Sequence, residues 1–179
     1  MKAVVYEKHG AAGRLVFREV DKPTPGPDEA LVKVHTASVN AGDYRSMRMG
    51  SIPKKKIFGS DIAGVVESVG PNIRSFRPGD EVAGDISACG MGGFAEYAAV
   101  PERALVKKPP NLTFEQAAGL PVAAVAALQA LRMRGGVKPG HRVLICGAGG
   151  GVGTFAVQLA RYFVAEVTAV CGPKNAELA

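Results

Sequence analysis

The sequence predicts a mixed fold in which a β-rich barrel or sandwich precedes the start of an α/β domain. Two observations predict it. From Lys2 to about Lys108, short runs of β-favouring residues alternate with Gly and Pro turns, and beyond Lys108 helices and a strand–helix–strand pattern follow. This change of period divides the chain into residues 1–108, linking helices at 109–136, and a first βαβ unit at 137–179.

The β-rich segment carries seven predicted strands and one short helix. Turn sequences at 23–27 and 77–80 combine Pro, which presets φ, with Gly, which relieves steric conflict. A helix is predicted over residues 41–49, because the polar Asn40 before it can cap the first turn. The predicted strands lie at residues 2–6, 15–20, 30–37, 62–69, 81–84, 94–100 and 104–106.

Two helices are predicted in the linking segment. Thr113 and Gln116 have the spacing of a capping box, in which the hydroxyl accepts from a free amide and the glutamine reaches back to the capping residue. The second helix is predicted to begin at Pro121, where a missing N–H costs little, and to end at Arg132, before a pair of glycines.

A strand–turn–helix–strand pattern follows, with a glycine-rich turn at its first junction. Residues 141–146 form a predicted buried strand, and the turn at 147–153 follows it directly. In the helix predicted at 152–163, apolar residues recur at i, i+3, i+4, i+7, i+8 and i+11, which is one face packed on a sheet. A second strand is predicted at 166–171. This unit is typical of the start of a Rossmann fold, in which a dinucleotide pyrophosphate lies at the helix N-terminus.

The glycine turn predicts a cofactor site. Against the G-x-G-x-x-G pattern the best register is Ala148-x-Gly150-x-x-Gly153, with alanine in the first place. Gly150 would let the backbone approach the phosphates, and Gly153 would let the helix pack close to the strand. A purely structural turn is the alternative. The cofactor-binding residues predicted in this turn are Ala148, Gly149, Gly150, Gly151, Val152 and Gly153.

The residues beyond the glycines indicate which dinucleotide is bound. NAD-selective sites place a carboxylate about 20 residues further on, where it hydrogen-bonds the ribose 2′-hydroxyl. Residues 170–175 contain no acid and one lysine, Lys174, which could neutralise a 2′-phosphate. We therefore predict NADP(H) as the cofactor and Lys174 as a cofactor-binding residue. NAD binding and a merely solvated lysine are the alternatives.

Composition and charge limit the function classes. With 47% hydrophobic and 21% charged residues, the chain is typical of a folded globular protein rather than a disordered one. Its longest apolar run, residues 120–131, is shorter than the roughly 20 residues of a membrane span, and residues 1–7 do not resemble a secretory signal. We therefore expect a cytoplasmic protein that does not bind a membrane.

The net charge is basic, but no nucleic-acid-binding motif accompanies it. The formal charge is +6, and the run Lys54-Lys55-Lys56 could attract nucleic acid, a membrane surface or a polyanionic cofactor. The sequence has no zinc finger, RNP-type aromatic motif or basic repeat beside this run. A solvated basic turn is therefore expected, and nucleic-acid binding is not.

Four motifs make the chain similar to one enzyme superfamily. They are Ser38-Val39-Asn40-Ala41-Gly42-Asp43, the stretch from Gly59-Ser60-Asp61 to Val69-Gly70, Arg77-Pro78-Gly79-Asp80-Glu81-Val82, and Gly93-Phe94-Ala95-Glu96-Tyr97. With these motifs the chain resembles the medium-chain dehydrogenase/reductase superfamily, specifically its zinc-independent quinone oxidoreductases. The resemblance implies a GroES-like β-barrel followed by a Rossmann NADP-binding domain, with the substrate and the nicotinamide in the cleft between them.

The resemblance also implies that no metal is bound. Zinc alcohol dehydrogenases of this superfamily carry a cysteine in place of Asn40 and Gly-His-Glu in place of Gly59-Ser60-Asp61, and their four-cysteine lobe has no counterpart between Gly84 and Gly93. Catalytic zinc needs three protein ligands and structural zinc four, and neither set can be assembled. We expect surface or packing positions for His9, His35 and His141, and reduced thiols for the widely spaced Cys89, Cys146 and Cys171.

The expected reaction is hydride transfer from NADPH to a small-molecule quinone or α,β-unsaturated carbonyl, because such acceptors delocalise charge without a Lewis acid. By resemblance, Asn40 and Tyr44 are the catalytic candidates, whose amide and phenol could orient a carbonyl oxygen. A helix cap is the alternative role of Asn40. Asp43 is expected to be structural, tying the short helix to the barrel.

The βαβ pattern stops after two strands, whereas a complete dinucleotide fold of the usual order has six. We therefore expect a truncated piece of a reductase whose full-length parent, expected to be a homodimer, carries the activity. The alternatives are a non-catalytic binding or assembly module built on the GroES-like barrel, and an NAD(P)-dependent alcohol dehydrogenase-like enzyme. Apolar surface left uncovered on helix 152–163 and strand 166–171 should make the isolated chain oligomeric or marginally stable.

Overall fold

The computed structural model describes residues 1–9 and 12–177. These residues form two compact units, Met1–Pro121 and Val122–Ala179. The first unit is antiparallel β with two short helices, and the second contains a parallel βαβ unit. The predicted mixed fold class is therefore confirmed, whereas the predicted domain limits at 1–108, 109–136 and 137–179 stay predictions.

The first unit is built around a five-stranded antiparallel sheet and a separate β-hairpin. Its elements are β1 Lys2–His9, β2 Ala12–Glu19, β3 Glu29–Ser38, α1 Ala41–Arg48, β4 Asp61–Val69, β5 Glu81–Asp85, β6 Tyr97–Pro101, β7 Val106–Lys107 and α2 Phe114–Ala118. Strands β1 and β2 form the hairpin, and the sheet has the order β6-β3-β4-β5-β7. The seven strands and the helix predicted for this segment are all present.

Two of the predicted strands have different limits. The strand predicted at 94–100 begins at Tyr97, because the residues before it pair with the hairpin instead: Val4 N donates to the Phe94 carbonyl at 2.8 Å. The strand predicted at 104–106 is β7, which begins at Val106, because Glu102–Ala104 form a 3-10 turn.

The predicted barrel is an open sheet joined to the hairpin by a few hydrogen bonds. Bridges connect Ala3 with Ala95 and Val5 with Ile57, so the hairpin closes over one part of the sheet. In residues 1–9 and 12–121 the strands do not form one continuous closed ladder, since the edge strands β6 and β7 are not paired with each other.

The core of the first unit lies on one face of the sheet. Apolar side chains at alternating positions of β3 meet those of the neighbouring strands, as period-two alternation requires. The turn residues Ile73 and Phe76 close one end of this core. Its buried members are Ala30, Val32, Ile62, Val66, Ile73, Phe76, Val82, Ile86, Ala98, Val100 and Leu105.

Helix α2 covers the opposite face of the sheet. The predicted capping box is confirmed: Thr113 Oγ1 accepts from Gln116 N at 3.2 Å, and Gln116 Oε1 accepts from Thr113 N at 3.0 Å. The helix buries Ala117 and Ala118 against small side chains of β4 and β5. Both faces of the sheet are thus covered at β4, which explains the continuous apolar run in that strand.

Strands β3 and β4 approach closely at Gly64. A Cβ at this position would lie 2.1 Å from the Lys33 carbonyl oxygen, a distance that no side chain can occupy. The pairing of β3 with β4 also shifts register between Val34 and Thr36, where an irregularity lets the strands bend. The close approach therefore requires glycine.

One carboxylate fixes the loop between β4 and β5. Glu102 Oε1 accepts from Arg74 N at 3.0 Å and from Ser75 N at 2.5 Å. These backbone hydrogen bonds, that from Ser75 first, hold the pKa of Glu102 below its ordinary value of 4.5. The charged form of Glu102 therefore binds the loop to the turn that precedes β7.

The second unit contains the predicted strand–helix–strand unit. Its elements are α3 Pro121–Arg132, β8 Arg142–Cys146, α4 Gly151–Tyr162 and β9 Glu166–Val170. The first residue of α3, Pro121, is the last residue of the first unit. Strands β8 and β9 are parallel, with Arg142 opposite Glu166 and Cys146 opposite Val170. The predicted helix starting at Pro121, both strands and the helix after the glycine turn are confirmed within one residue at each end.

One side of the second unit is packed and the other is exposed. Leu131, Ile145 and Val157 are buried in one cluster with Ala148 and Ala160. By contrast, large apolar side chains of the strands and helix ends are solvent-exposed, including Leu144 at 64%, Val170 at 47% and Tyr162 at 79%. The exposed apolar surface predicted for this region is therefore present.

We expect Glu102→Gln to lower the thermal unfolding midpoint at pH 7, and to lower it by less as the pH falls below 4.5. The folded-state pKa of Glu102 lies below its ordinary value of 4.5, so its stabilisation is complete above that pH and is lost as the pH falls through the folded pKa. Thermal unfolding followed by circular dichroism from pH 7 to pH 3 measures this. The exposed Glu19→Gln is the control, and a Glu102→Gln deficit that is as large at pH 3 as at pH 7 would contradict the account.

We expect Gly64→Ala to destabilise the first unit by about 1–3 kcal/mol, because the added Cβ overlaps the Lys33 carbonyl oxygen. Gly42→Ala is the matched control, since a Cβ at that position of α1 meets no atom within 4 Å. Urea unfolding should separate the two variants. Equal midpoints would show that β3 and β4 can separate without cost.

Candidate functional site

A buried polar cluster forms where β3 runs into α1. Asn40 occupies the N-cap position of α1, with its φ at −102° and ψ at 156°. The Asp43 carboxylate folds back on it, and Oδ2 accepts from Asn40 N at 2.7 Å. A helix start that buries its amides needs such an acceptor. Asp43 therefore fixes the point at which the chain turns from strand to helix.

Asp43 also ties α1 to the strand that follows. Its Oδ1 accepts from Ser60 Oγ at 2.7 Å. Asp43 and Ser60 are each only 3% exposed, so this is a hydrogen bond within the interior rather than a surface contact. The structural role predicted for Asp43 agrees with this geometry.

The side-chain amide of Asn40 is held by two neighbours. Its Nδ2 donates to Asp61 Oδ2 at 2.9 Å and to Ser38 Oγ at 3.2 Å, while Ser38 Oγ donates to the same Asp61 oxygen at 3.1 Å. Asp61 is completely buried. Because a carboxylate only accepts, the NH2 group must face it. The NH2 group of Asn40 is thus turned toward Asp61 and Ser38, while the side chain also faces the Asp43 amide in a capping box.

Tyr44 lies outside this cluster. It is the residue after Asp43 on α1, and 45% of it is exposed. In residues 1–9 and 12–177 its hydroxyl has no hydrogen-bond partner, so the phenol is available to a ligand as a donor or an acceptor. The structure therefore places the two catalytic candidates on the same helix start, one held in the cluster and one exposed.

The residues that bear on the predicted absence of a metal make other contacts in the structure. Ser60, at the place of a zinc-binding histidine in related dehydrogenases, donates to Asp43. His35 stacks on Phe114 with ring centroids 4.3 Å apart, and His141 Nδ1 accepts from Lys138 N at 3.3 Å. The side chain of His9 lies outside the described part of the structure. Among described residues, no three His, Cys, Asp or Glu side chains are grouped as metal ligands.

The second candidate region is the glycine turn between β8 and α4. Gly147 has φ of +78°, a conformation that side chains rarely adopt. The amides of Gly147 and Ala148 both donate to the Val170 carbonyl, at 2.8 Å and 3.0 Å. Ala148 is fully buried in the unit's core. The first part of the turn is therefore bound to β9.

The later part of the turn presents backbone amides. Gly150 is the N-cap of α4, and its own amide donates to the Gly147 carbonyl at 3.0 Å. The first turn of an α-helix leaves its amides without intrahelical acceptors, and here these belong to Gly151, Val152 and Gly153. A positive helix end with free N–H groups favours an anion such as a phosphate.

Gly153 keeps this helix end close to the turn. A Cβ at Gly153 would lie 2.1 Å from the Gly147 carbonyl oxygen and 2.8 Å from the Ala148 Cα. The helix could not start where it does with any larger residue there. By contrast, a Cβ at Gly151 would meet no atom within 4 Å. The close packing that the sequence predicted for Gly153 is present in the structure.

The segment after β9 returns to the glycine turn. Pro173–Asn175 form a 3-10 turn, and a Cβ at Gly149 would lie 2.3 Å from the Asn175 Cβ. Lys174, in the same turn, is exposed and has no carboxylate within ion-pair distance in the described part of the chain. An unpaired cation therefore lies in the segment that contacts the turn.

Sequence reasoning missed two parts of these regions. No pattern marks the contact between Gly149 and Asn175, which brings the segment after β9 to the glycine turn. Ser38 and Asp61 hold the Asn40 amide, although they appeared only as parts of family motifs. Their place in two of the motifs that carry the superfamily resemblance was the available indication.

Comparisons with known proteins place the chain among dehydrogenases and reductases. Residues 26–110 match the alcohol dehydrogenase GroES-like domain. Over 99% of its length the chain is 37% identical to a chloroplastic quinone-oxidoreductase of Triphysaria versicolor, covering 57% of that protein. It is 36% identical to a mitochondrial NAD(P)H oxidoreductase of Bos taurus, over 99% of this chain and 51% of that protein.

A solved structure gives the same result. The Pseudomonas syringae quinone oxidoreductase matches with a TM-score of 0.86 and 31% identity, over 99% of this chain and 55% of that one. The chain thus spans little more than half the length of the relatives it matches. With its GroES-like domain and a similarity that covers almost every residue, the chain belongs to the medium-chain dehydrogenase/reductase superfamily, to which the sequence motifs pointed.

Proposed function

We propose that the chain is part of an NADPH-dependent reductase of quinones or α,β-unsaturated carbonyls that works without zinc. The observation that carries the proposal is the glycine turn, where Gly153 lets the amide-bearing end of α4 stand against β8. Relatives named quinone oxidoreductase and NAD(P)H oxidoreductase support a nicotinamide cofactor. The choice of NADP over NAD and the class of acceptor are our own inferences.

The residues of the second unit fit a dinucleotide. The amides of Gly151, Val152 and Gly153 would hold the diphosphate, together with Gly149, and Gly150 would permit the backbone to approach it. Ala148 would contribute only its backbone position, because its amide is bound to Val170 and its methyl group is buried. When bound, the dihydronicotinamide supplies a hydride.

Lys174 supports NADP(H) over NAD(H). Among the described residues it has no ion-pair partner, and it lies in a turn that contacts Gly149 through its neighbour Asn175; residues 170–175 contain no carboxylate that would repel a 2′-phosphate. Charge-assisted hydrogen bonds from lysine to phosphate are among the stronger ones in proteins. We infer that Lys174 lies beside the 2′-phosphate.

Asn40 and Tyr44 would act on the reacting ligands in different ways. Because its Nδ2 is turned toward Ser38 and Asp61, Asn40 would meet a ligand hydroxyl or amide through Oδ1, as a hydrogen-bond acceptor. The exposed hydroxyl of Tyr44 would donate to the acceptor oxygen, on which negative charge develops as hydride arrives. The helix-cap position of Asn40 and a ligand contact are thus compatible.

Zinc independence follows in this proposal from the side chains that stand at the metal-binding positions of related enzymes. Ser60 uses its hydroxyl on Asp43, and Asn40 uses its amide on Asp61. Neither offers the anionic or imidazole ligands that zinc prefers. The proposed substrates are therefore hydride acceptors in which the developing negative charge delocalises onto a conjugated oxygen. Unactivated alcohols are not proposed as substrates.

Location and assembly also remain proposals. In the described residues no helix is long and apolar enough to cross a bilayer. We propose a cytoplasmic enzyme acting on small molecules, with a homodimeric parent; the Triphysaria versicolor relative is chloroplastic and the Bos taurus relative is mitochondrial.

The cofactor site is tested by Gly153→Ala against Gly151→Ala. We expect the first to weaken NADPH binding at least tenfold, because its Cβ overlaps the Gly147 carbonyl oxygen and forces α4 away from the turn. A fluorescence titration with NADPH measures binding, and quinone-dependent loss of absorbance at 340 nm measures turnover. Thermal unfolding of both variants checks folding.

Wild-type chain that binds no NADPH would contradict the proposed site and favour the non-catalytic module. Binding with no turnover would assign catalysis to a longer parent. Loss of binding in Gly151→Ala alone, with Gly153→Ala unaffected, would overturn the assignment of the helix end as the phosphate site.

Cofactor choice is tested by Lys174→Gln. We expect its Kd for NADPH to rise roughly two- to fivefold, as for an exposed ion pair, while its Kd for NADH stays unchanged because NADH has no 2′-phosphate. Lys138→Gln is the matched control, since Lys138 is an exposed lysine before β8, at the other end of the strand from the turn. If the two substitutions raised the Kd for NADPH equally, Lys174 would act only through the net charge of the surface, and its contact with the 2′-phosphate would be contradicted.

A further inference from the structure

A cavity of about 370 Å³ lies in the first unit, apart from both candidate regions. It is bordered by the chain after β2, by the segment before β4, by the loop before β6 and by β6 itself. Asn40, Tyr44 and the polar cluster around them do not line it. Its volume lies within the range of small-molecule sites, which runs from about 300 to 1,000 Å³.

The backbone beside this cavity is strained. Lys56 has φ of +58° and Met91 has φ of +59°, values at which a side chain crowds its own carbonyl. In the described residues the other non-glycine residue of this kind is Val164, in the second unit. Met91 lines the cavity, and Lys56 lies between the lining residues Lys55 and Ile57. Strained backbone of this kind clusters at ligand-binding segments.

The cavity has an apolar body. Ile57 is 5% exposed and Ala98 is 6% exposed, so the inner wall is part of the core. The ring of Tyr97 adds an aromatic surface, over which Lys22 Nζ lies 3.9 Å from the ring centroid. A ligand here would lose water from its own apolar part on entering.

The charges at the rim favour an anion. Lys22 is already neutralised by Glu67, whose Oε1 accepts from Nζ at 2.5 Å. Lys55 has no carboxylate within ion-pair distance in residues 1–9 and 12–177. Among the lining residues Asp21 carries a carboxylate, and Lys55 is the lysine that has no such ion pair.

We propose that this cavity binds a small organic anion with an apolar body, such as an aromatic carboxylate. The ring would lie against Ile57, Met91 and Tyr97, and the carboxylate would meet Lys55. This assigns a purpose to one lysine of the basic run at 54–56, which neither the polar cluster nor the glycine turn uses. The proposal does not depend on the proposed reductase activity.

Benzoate is the probe for this site, with benzyl alcohol as its uncharged match. In a ¹H–¹⁵N NMR titration of the full chain we expect benzoate to shift the amides of residues 20–22, 55–57 and 91–99 in one saturable step. Benzyl alcohol should bind at least threefold more weakly. Shifts centred on the second unit's exposed apolar surface, or no saturable shift at all, would overturn the proposal.

Two substitutions identify the groups that bind. Lys55→Gln should weaken benzoate binding about threefold, the effect of one exposed charge, whereas Lys54→Gln removes the same charge from a neighbour that does not line the cavity and should have no effect. Ala99→Leu, which adds volume at the lining, should abolish binding. Equal weakening by Lys54→Gln and Lys55→Gln would reduce the effect to net charge and overturn the assignment, and the NMR spectra of the variants verify their folding.

Discussion

Two buried carboxylates, Asp43 and Asp61, constrain the whole region around the start of α1. A carboxylate removed from water must be given hydrogen-bond donors, or its burial costs several kcal/mol. Asp43 receives Ser60 Oγ and Asn40 N, and Asp61 receives Ser38 Oγ and the Asn40 amide. The strand end, the helix start and the first residue of β4 are therefore held in one arrangement.

That arrangement decides what the site can do. If Asp61 were absent, the Asn40 amide could turn either way and could donate to a substrate carbonyl. With Asp61 and Ser38 in place, the NH2 group is held toward the carboxylate, and the carbonyl oxygen is the atom turned away from it. The chemistry of a candidate catalytic residue is thus set by two neighbours that need not touch any ligand. The exposed Tyr44 next to it keeps its donor.

The second unit depends on backbone geometry rather than on side chains. Gly147 turns the chain, Gly153 permits contact between α4 and the turn, and the amides at the helix start carry the potential binding function. Because almost no side chain takes part, the sequence motif is short and tolerates alanine at position 148. The cavity of the first unit differs in kind, since side chains and strained backbone define it.

The sequence alone determined the class of fold, the order of strands and helices, the capping box at Thr113, the close packing at Gly153 and the superfamily. These are local properties: they follow from hydrophobic period, turn residues and short motifs, which neighbouring residues fix. Only the tertiary structure decided that β6 starts at Tyr97, that Ala148 is buried, that Asn175 meets Gly149, and that Asp61 controls the Asn40 amide. Each of these features either joins residues at least 20 positions apart or depends on which strand competes for a backbone hydrogen bond. The spacing of residues along the chain carries no information about either.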